Sequence, residues 1–196
     1  MQRSMNTQRN ADEIIAATRT WLERAVIGLN LCPFAKPVHV QHRIRYVVSE
    51  ARSEAALVRD LMTELRALDA ADPAQCETTL LIHPHVLGEF LDYNAFLAQA
   101  DDAVCELELE GVIQIASFHP RYQFEDAGPE DIENYTNRSP CPMLHLLREA
   151  SVEQAVTTYP DTTEIYRRNI DTLRRLGHEG WRRLGIAPKK TGDSGR

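Results

Sequence analysis

Two histidines follow apolar segments, and each is succeeded by proline, in Leu81-Ile82-His83-Pro84 and in Ser117-Phe118-His119-Pro120. Imidazole titrates near neutral pH, so it can act as an acid, a base or a ligand. The alternative is a histidine that bonds the backbone and stabilises a turn. We predict that His119 is the acid or base of a site, and that His83 lies near it.

Cys32 lies between Leu31 and Pro33, with Lys36 four residues further on. A neighbouring cation lowers the pKa of a thiol and favours the nucleophilic thiolate. The alternative is a small buried apolar residue, which is the more common role of a free cysteine. We predict that Cys32 is a nucleophile or reactive thiol.

The segment Asn137-Arg138-Ser139-Pro140 precedes an apolar run that ends in Arg148. Helix starts and arginine side chains bind anions. We therefore predict that Arg138 anchors a carboxylate or phosphate, helped by Asn137, Ser139 and Arg148. The alternative is that Asn137 or Ser139 caps a helix and Arg138 pairs with a structural carboxylate.

Histidines and Cys32 also allow a transition-metal site, although no known metal spacing is present. The metal ligands would come from His83, His85, His119 and His145, with Cys32 as a further candidate. A third hypothesis is a haem-responsive or other regulatory module, because Cys32-Pro33 and Cys141-Pro142 are the dipeptide used in some regulatory haem sites. The cofactor is therefore unknown, and a transition metal is one option.

Charge and composition limit the partners. The 196-residue chain has a net charge of -7 and a pI of about 5.5, which argues against broad nucleic-acid binding and against docking on anionic membranes. Cys32, Cys76, Cys105 and Cys141 form no Cys-x-x-Cys pair, which is typical of free thiols in a reducing compartment. We predict a cytoplasmic protein. Walker, Gly-x-Gly-x-x-Gly and Gly-x-Ser-x-Gly motifs are absent.

Hydrophobic periodicity predicts an α/β fold with a small, mostly parallel sheet in βαβαβ order, covered by helices. The strands are expected at 43–48, 78–82 and 112–118, and pairing with a second copy would enlarge this small sheet. Parallel strands would bring His83 and His119 to one sheet edge, where ligands bind in open α/β sheets.

The helices are expected to include an N-terminal one starting at Asn10, a short one at Met143–Glu149 and a long C-terminal one. Residues 87–108 are expected to be helical with a break near Asp92. The prolines of 31–37 predict a loop. The expected domain organisation is a tail at 1–10, one α/β domain at 11–187 and a second tail at 188–196.

Three motifs together resemble one known family. They are Leu31-Cys32-Pro33-Phe34-Ala35, then Phe118-His119-Pro120 with Tyr122-Gln123-Phe124, and finally Asn137-Arg138-Ser139-Pro140 with Pro142-Met143-Leu144-His145-Leu146-Leu147-Arg148-Glu149. They are similar to the family called domain of unknown function 1415, over roughly Asp12 to Leu184. The family usually has an aromatic residue where this chain has Cys141. The resemblance implies no particular activity.

From the residues we predict an enzyme that acts on a small anionic molecule at the carboxyl ends of the strands. His119 would move the proton, Arg138 would hold the anion and Cys32 would react. A transition-metal protein is the alternative.

Overall fold

The computed structural model describes residues 2–158 and 162–186. The four strands are β1 (Ile44–Val48), β2 (Thr78–Ile82), β3 (Ile113–Phe118) and β4 (Met143–Arg148). The α-helices are α1 (Gln2–Trp21), α2 (Ala35–Val40), α3 (Glu54–Ala70), α4 (Phe90–Glu106), α5 (Glu149–Thr158) and α6 (Thr162–Arg183). A π-helical segment (Leu22–Ile27) continues α1, and a 3-10 helix (Ile132–Thr136) precedes β4.

The sheet is mixed and has the strand order β1-β2-β4-β3. β1 and β2 are parallel, whereas β4 is antiparallel to both β2 and β3. β1, β2 and β3 therefore run in one direction, and β4 runs against them. The α/β class is confirmed, but the expected mostly parallel sheet is wrong because β4 separates β2 from β3.

The strand β4 corrects the predicted helix at Met143–Glu149. Met, Leu, Arg and Glu all favour helices, and the leucines also suit helical spacing. A strand covered on both faces has the same apolar character, because both of its faces are buried. Here Leu144 and Leu146 pack on one face of the sheet, while Met143 packs on the other.

Helices α3 and α4 cover one face of the sheet. Their buried side chains, among them Leu61, Leu65 and Phe96, pack against Leu81, Leu144 and other strand residues. Ser53 caps α3, since its side chain accepts a hydrogen bond from the Ala56 N–H at 3.3 Å. The second face is covered mainly by the end of α1 and the π-helical segment, through residues such as Trp21 and Val26.

Three other helix predictions change. Helix α1 begins at Gln2 rather than at Asn10. Helix α4 is unbroken through Asp92. The predicted loop at 31–37 contains the start of α2, and Pro37 is tolerated there because the first N–H groups of a helix have no intrahelical partner. The predicted tail at 188–196 lies outside the described residues.

Helix α6 is interrupted at Gly177, where the backbone adopts φ 63° and ψ 173°. Glycine reaches such a left-handed φ without the steric cost that a side chain brings. The sequence pattern also breaks at this residue. The second part of α6 brings Trp181 against the same core cluster as Trp21.

Candidate functional site

His119 lies directly after β3 and is fully buried. The Arg121 N–H donates to its Nδ1 at 3.0 Å, and its Nε2 lies 3.2 Å from the Leu87 carbonyl oxygen. The proton of the neutral ring is therefore on Nε2, which donates to Leu87. Burial lowers the pKa of His119, which keeps the ring neutral at pH 7. Both nitrogens bond the backbone, so this arrangement matches the turn-stabilising alternative.

His83 and His119 lie at the same end of the sheet, with Tyr93 between them. The ring centroids of His83 and Tyr93 are 5.7 Å apart, and those of Tyr93 and His119 are 5.1 Å apart. The Tyr93 hydroxyl donates to the Met143 carbonyl and accepts from the Phe118 N–H. We call His83, Tyr93 and His119 the strand-end cluster. It holds the end of β3 against the start of β4.

The imidazole of His83 is only partly satisfied. Its Nδ1 lies 3.1 Å from the Val86 carbonyl, whereas its Nε2 is buried without a hydrogen-bond partner. Nδ1 must donate to the carbonyl, so Nε2 carries the lone pair. Burial, assisted by the nearby His119, lowers the pKa of His83 to about 4. His83 is therefore neutral at pH 7.

The predicted anion anchor Arg138 binds its own loop. Its Nε donates to the Tyr122 carbonyl at 3.2 Å and its Nη2 donates to the Pro129 carbonyl at 2.5 Å. The guanidinium also lies 4.5 Å from the centre of the Tyr135 ring. These contacts fix the connector between β3 and β4 and leave Arg138 engaged by neutral partners.

The neighbours of Arg138 have similar roles. Asn137 donates from its side-chain amide to the Ser117 carbonyl at 3.1 Å, at the open side of β3. The Ser139 hydroxyl donates to the Cys141 carbonyl at 2.7 Å. Neither residue caps a helix, because β4 and not a helix follows them.

A strand-end crevice is present, but it does not contain the predicted catalytic residues. Its volume is about 630 Å³. It is lined by Arg52, Ser53, Glu54, Ala55, Val86, Leu87, Gly88, Glu89 and Asp92. Three carboxylates and one guanidinium give this lining a negative balance, which disfavours an anionic ligand.

The candidate metal ligands are dispersed over the fold. His85 lies near Glu50, with 3.9 Å between Nε2 and Oε2. His145 projects from the sheet face opposite α3 and α4, and Cys32 lies over that same face. Within residues 2–158 and 162–186, no three histidine, cysteine or acidic side chains are grouped so that they could hold a metal ion.

A larger cavity lies on the sheet face that α1 covers only in part. We call it the sheet-face cavity; its volume is about 770 Å³. The strands supply its floor through Ile44, Thr78, Leu80, Gln114, Ala116, Phe118, His145 and Leu147. Its other walls are formed by Trp21, Leu22, Val26, Cys32, Pro33, Phe34, Ala35, Pro37, Val38, Arg43, Glu77, Arg148, Ser151, Val152 and Gln154. Gln114 and Pro37 are exposed, which makes them rim residues.

His145 lies in the middle of the cavity floor, between Leu80 and Ala116 on the adjacent strands. Its Nε2 is 2.7 Å from the Thr78 hydroxyl, which itself donates to the Leu146 carbonyl at 2.5 Å. Thr78 has one proton, so Nε2 of His145 must be the donor to Thr78. Nδ1 is then unprotonated and carries a lone pair, and it has no hydrogen-bond partner in the described part of the chain. Burial lowers the pKa of His145 to about 4.

Cys32 lies across the cavity from the floor, in the segment before α2. Burial raises the pKa of the Cys32 thiol, and the neighbouring backbone of Phe34 and Ala35 opposes this effect more weakly. Lys36, the expected activating cation, does not line this cavity. Cys32 is half-buried, so a molecule in the cavity can reach it.

Two arginines and one carboxylate lie at the end of the cavity where β1 and β2 begin. Arg43 pairs with Glu77, with 2.8 Å between Nη1 and Oε2. Nη2 of Arg148 donates to the Leu68 and Ala71 carbonyls at the end of α3. The Nε atoms of both arginines are buried without partners. Arg43 and Glu77 balance each other, so any net positive charge at this end comes from Arg148, whose guanidinium lies on the α3 side of the sheet.

Sequence reasoning found Cys32, His145 and Arg148, and it grouped Cys32 with His145 only as possible ligands of one metal. Arg43 and Thr78 were missed as site residues. Assigning Met143–Glu149 to a strand would have placed Met143, His145 and Leu147 on one face, because side chains alternate along a strand. That alternation was the available signal, and the helix-like composition concealed it.

A family model described as protein of unknown function (DUF1415) matches residues 13–183. The chain belongs to the DUF1415 family. No curated protein and no solved structure matches it significantly. Membership confirms the family resemblance.

Proposed function

We propose that this DUF1415 protein binds a small amphipathic molecule in the sheet-face cavity, with an apolar body and one negatively charged end. The observation that carries the proposal is a cavity with apolar walls whose net positive charge at one end comes from Arg148. Its volume of about 770 Å³ falls within the range of small-molecule sites, roughly 300–1,000 Å³. The proposal retains the expected small anionic ligand and moves its site away from the strand ends.

The apolar part of the ligand would lie against Phe118, whose ring packs edge-on against Trp21, and against Leu80. Burying its hydrocarbon surface would provide most of the binding free energy, at about 25 cal/mol per Å² removed from water. The small side chain of Ala116 leaves room above β3 for this body. His145 offers an acceptor, Nδ1, to a hydroxyl or amide of the ligand.

The charged end of the ligand would lie near Arg148 and Arg43. Within residues 2–158 and 162–186, no carboxylate forms a salt bridge with Arg148, and its bonds go to neutral carbonyls. A carboxylate near this guanidinium would gain a charge-assisted hydrogen bond. Arg148 follows His145 by three strand positions, so the two side chains leave opposite faces of β4. The Arg148 guanidinium lies at the end of α3, and the charged end of the ligand would meet it only around the end of the strand, away from His145.

Calorimetric titration with octanoate and with octanol tests the proposal. We expect octanoate to bind about tenfold more tightly than octanol, because only octanoate uses the positive end. Arg148→Met should abolish this preference, while Arg148→Lys should retain part of it. Equal binding of the two probes would remove the anionic end from the proposal. Absence of binding by both would remove the cavity as a ligand site.

The sequence also predicts that the protein is an enzyme that acts on such an anion, and this prediction goes further than binding alone. The contacts of Cys32, His145 and Arg148 support this cavity rather than the strand ends as its location. Every helix within the described residues is too short or too polar to cross a lipid bilayer. The cytoplasmic location, the absence of nucleic-acid partners and pairing with a second copy stay predictions.

A further inference from the structure

We propose that Cys32 is a covalent attachment site for an electrophilic ligand of the sheet-face cavity, namely an amphipathic anion that carries an activated carbon–carbon double bond. This inference rests on the proposed binding function and names its substrate class. The inference is based on Cys32 and His145, which both line the cavity.

The Cys32 thiol is positioned to meet a ligand of the cavity. Cys32 is one of the walls of the cavity, and the floor opposite it contains His145. A molecule that fills the space lies between the sheet and the segment before α2. The other three cysteines, Cys76, Cys105 and Cys141, do not line this cavity.

The imidazole of His145 has an unpartnered nitrogen. The bond to Thr78 fixes the ring with its Nδ1 lone pair free. An anionic ligand in the cavity stabilises the imidazolium form and so raises the basicity of this nitrogen. Nδ1 can then receive the proton of the Cys32 thiol when the thiol reacts.

The backbone near Cys32 limits the choice of electrophile. The Ala35 N–H donates to the Cys32 carbonyl oxygen at 3.3 Å. It is consequently engaged and does not contribute to an oxyanion hole, which acyl transfer requires. Addition to a conjugated double bond needs a thiolate and a proton carrier, and it releases no leaving group.

The reaction balances without a co-reactant. The sulfur of Cys32 forms a bond to the β-carbon, and the π bond of the alkene breaks. The thiol proton moves to Nδ1 of His145 and then to the α-carbon. The product is a saturated thioether on Cys32, with no change in the oxidation state of the whole system.

Alkylation by 6-maleimidohexanoate, followed by intact-mass and peptide-mass measurements, tests this inference. We expect Cys32 to react faster than the exposed Cys105, with a rate that saturates as the probe binds before it reacts. N-hexylmaleimide, which lacks the carboxylate, should require about fivefold more probe for half-saturation, because it does not use the positive end.

His145→Gln is the matched variant, because a glutamine amide can still donate to Thr78 but has no basic nitrogen. We expect the maximal rate at Cys32 to fall at least about tenfold, with half-saturation unchanged and Cys105 unaffected. Between pH 8 and pH 7 the rate of the variant should fall about tenfold, since it depends on free thiolate, whereas the wild type should fall less than about threefold. The remaining ionisable groups on the cavity walls are Arg43, Glu77 and Arg148.

Two outcomes would overturn the inference. One is alkylation of Cys32 no faster than that of Cys105, and the other is an unchanged rate in His145→Gln. If octanoate still binds in either case, the proposed function stands and only the covalent step is wrong. If octanoate also fails to bind, the proposed function is wrong as well.

Discussion

His119 of the strand-end cluster directly follows β3, and His145 of the sheet-face cavity lies within β4, and these two histidines differ in what their nitrogens contact. His119 uses both nitrogens on the backbone, at Leu87 and Arg121. His145 uses one nitrogen on Thr78 and leaves the other open to the cavity. A group whose bonds are all internal holds the fold together, whereas a group with a free lone pair beside a cavity can contact a ligand.

Arg138 and Arg148 also differ in whether they face a cavity, although both donate to backbone carbonyls. Arg138 is held by two carbonyls and an aromatic ring within one loop. Arg148 is also held by carbonyls, but it lines a cavity and has a buried Nε without a partner. These contacts support a structural role for the strand ends and the proposed binding role for the sheet face.

The largest expected effect is on stability, in His119→Ala. The substitution removes a buried ring and leaves the Leu87 carbonyl and the Arg121 N–H without partners, which should cost about 3 to 4 kcal/mol of unfolding free energy. Urea denaturation measures this loss. The exposed His178→Ala is the control. A stable His119→Ala protein that fails to bind octanoate would reverse the assignment of the two regions.

The next effect is a loss of stability in acid caused by His83. Its folded pKa of about 4 lies below the ordinary value of 6.5, so the unfolded chain binds the proton first. The contribution of His83 to the unfolding free energy is fully present above pH 6.5. It decreases by about 2 to 3 kcal/mol as the pH falls toward 4. Urea denaturation of wild type and His83→Asn across this range should show a stability difference that falls by this amount. A difference independent of pH would contradict the buried neutral ring.

A larger side chain in the cavity should weaken ligand binding and leave the unfolding free energy nearly unchanged. Ala116→Leu adds three carbons to the cavity floor, so octanoate should bind at least about tenfold more weakly, or about 1.4 kcal/mol. The unfolding free energy should change by less than about 1 kcal/mol, because the added atoms occupy empty space. Calorimetry and urea denaturation measure the two quantities. Ala98→Leu on the exposed side of α4 is the control, and unchanged affinity in Ala116→Leu would place the ligand elsewhere.

The smallest effect is expected for Arg138→Met. The methionine keeps much of the packing on Tyr135 but loses the bonds to the Tyr122 and Pro129 carbonyls, which should cost about 1 kcal/mol. Octanoate affinity should not change. Thermal denaturation and calorimetry on the same sample check both statements. A selective loss of octanoate binding would restore Arg138 as an anion anchor.

Local sequence signals predicted β1, β2, β3 and α3 well. Thr78–Ile82 matches the predicted strand residue for residue, and Ser53 caps α3 as expected. Both signals are local: an apolar run between polar residues, and a serine before an amphipathic segment. They do not depend on where the rest of the chain lies.

The strand β4 and the cavity could not be found in the same way. Met143–Arg148 becomes a strand because β2 and β3 offer it two edges, and this tertiary pairing outweighs its helical propensity. The cavity depends on how far α1 and α2 extend over the second sheet face, which is a property of packing rather than of periodicity. Cys32 and His145 were therefore grouped only as possible ligands of one metal, and their shared cavity was not predicted.

The place of β4 in the sheet has a consequence for synthesis on the ribosome. β2 and β3 emerge before β4, which begins at Met143, while β3 ends at Phe118. Until β4 is made, β2 and β3 each present an unpaired edge toward the slot that it will fill. A β4 strand from a second nascent chain fits the same slot with the same register. We therefore expect this topology to favour exchange of β4 between copies as a misfolding route, more often when many chains are made close together.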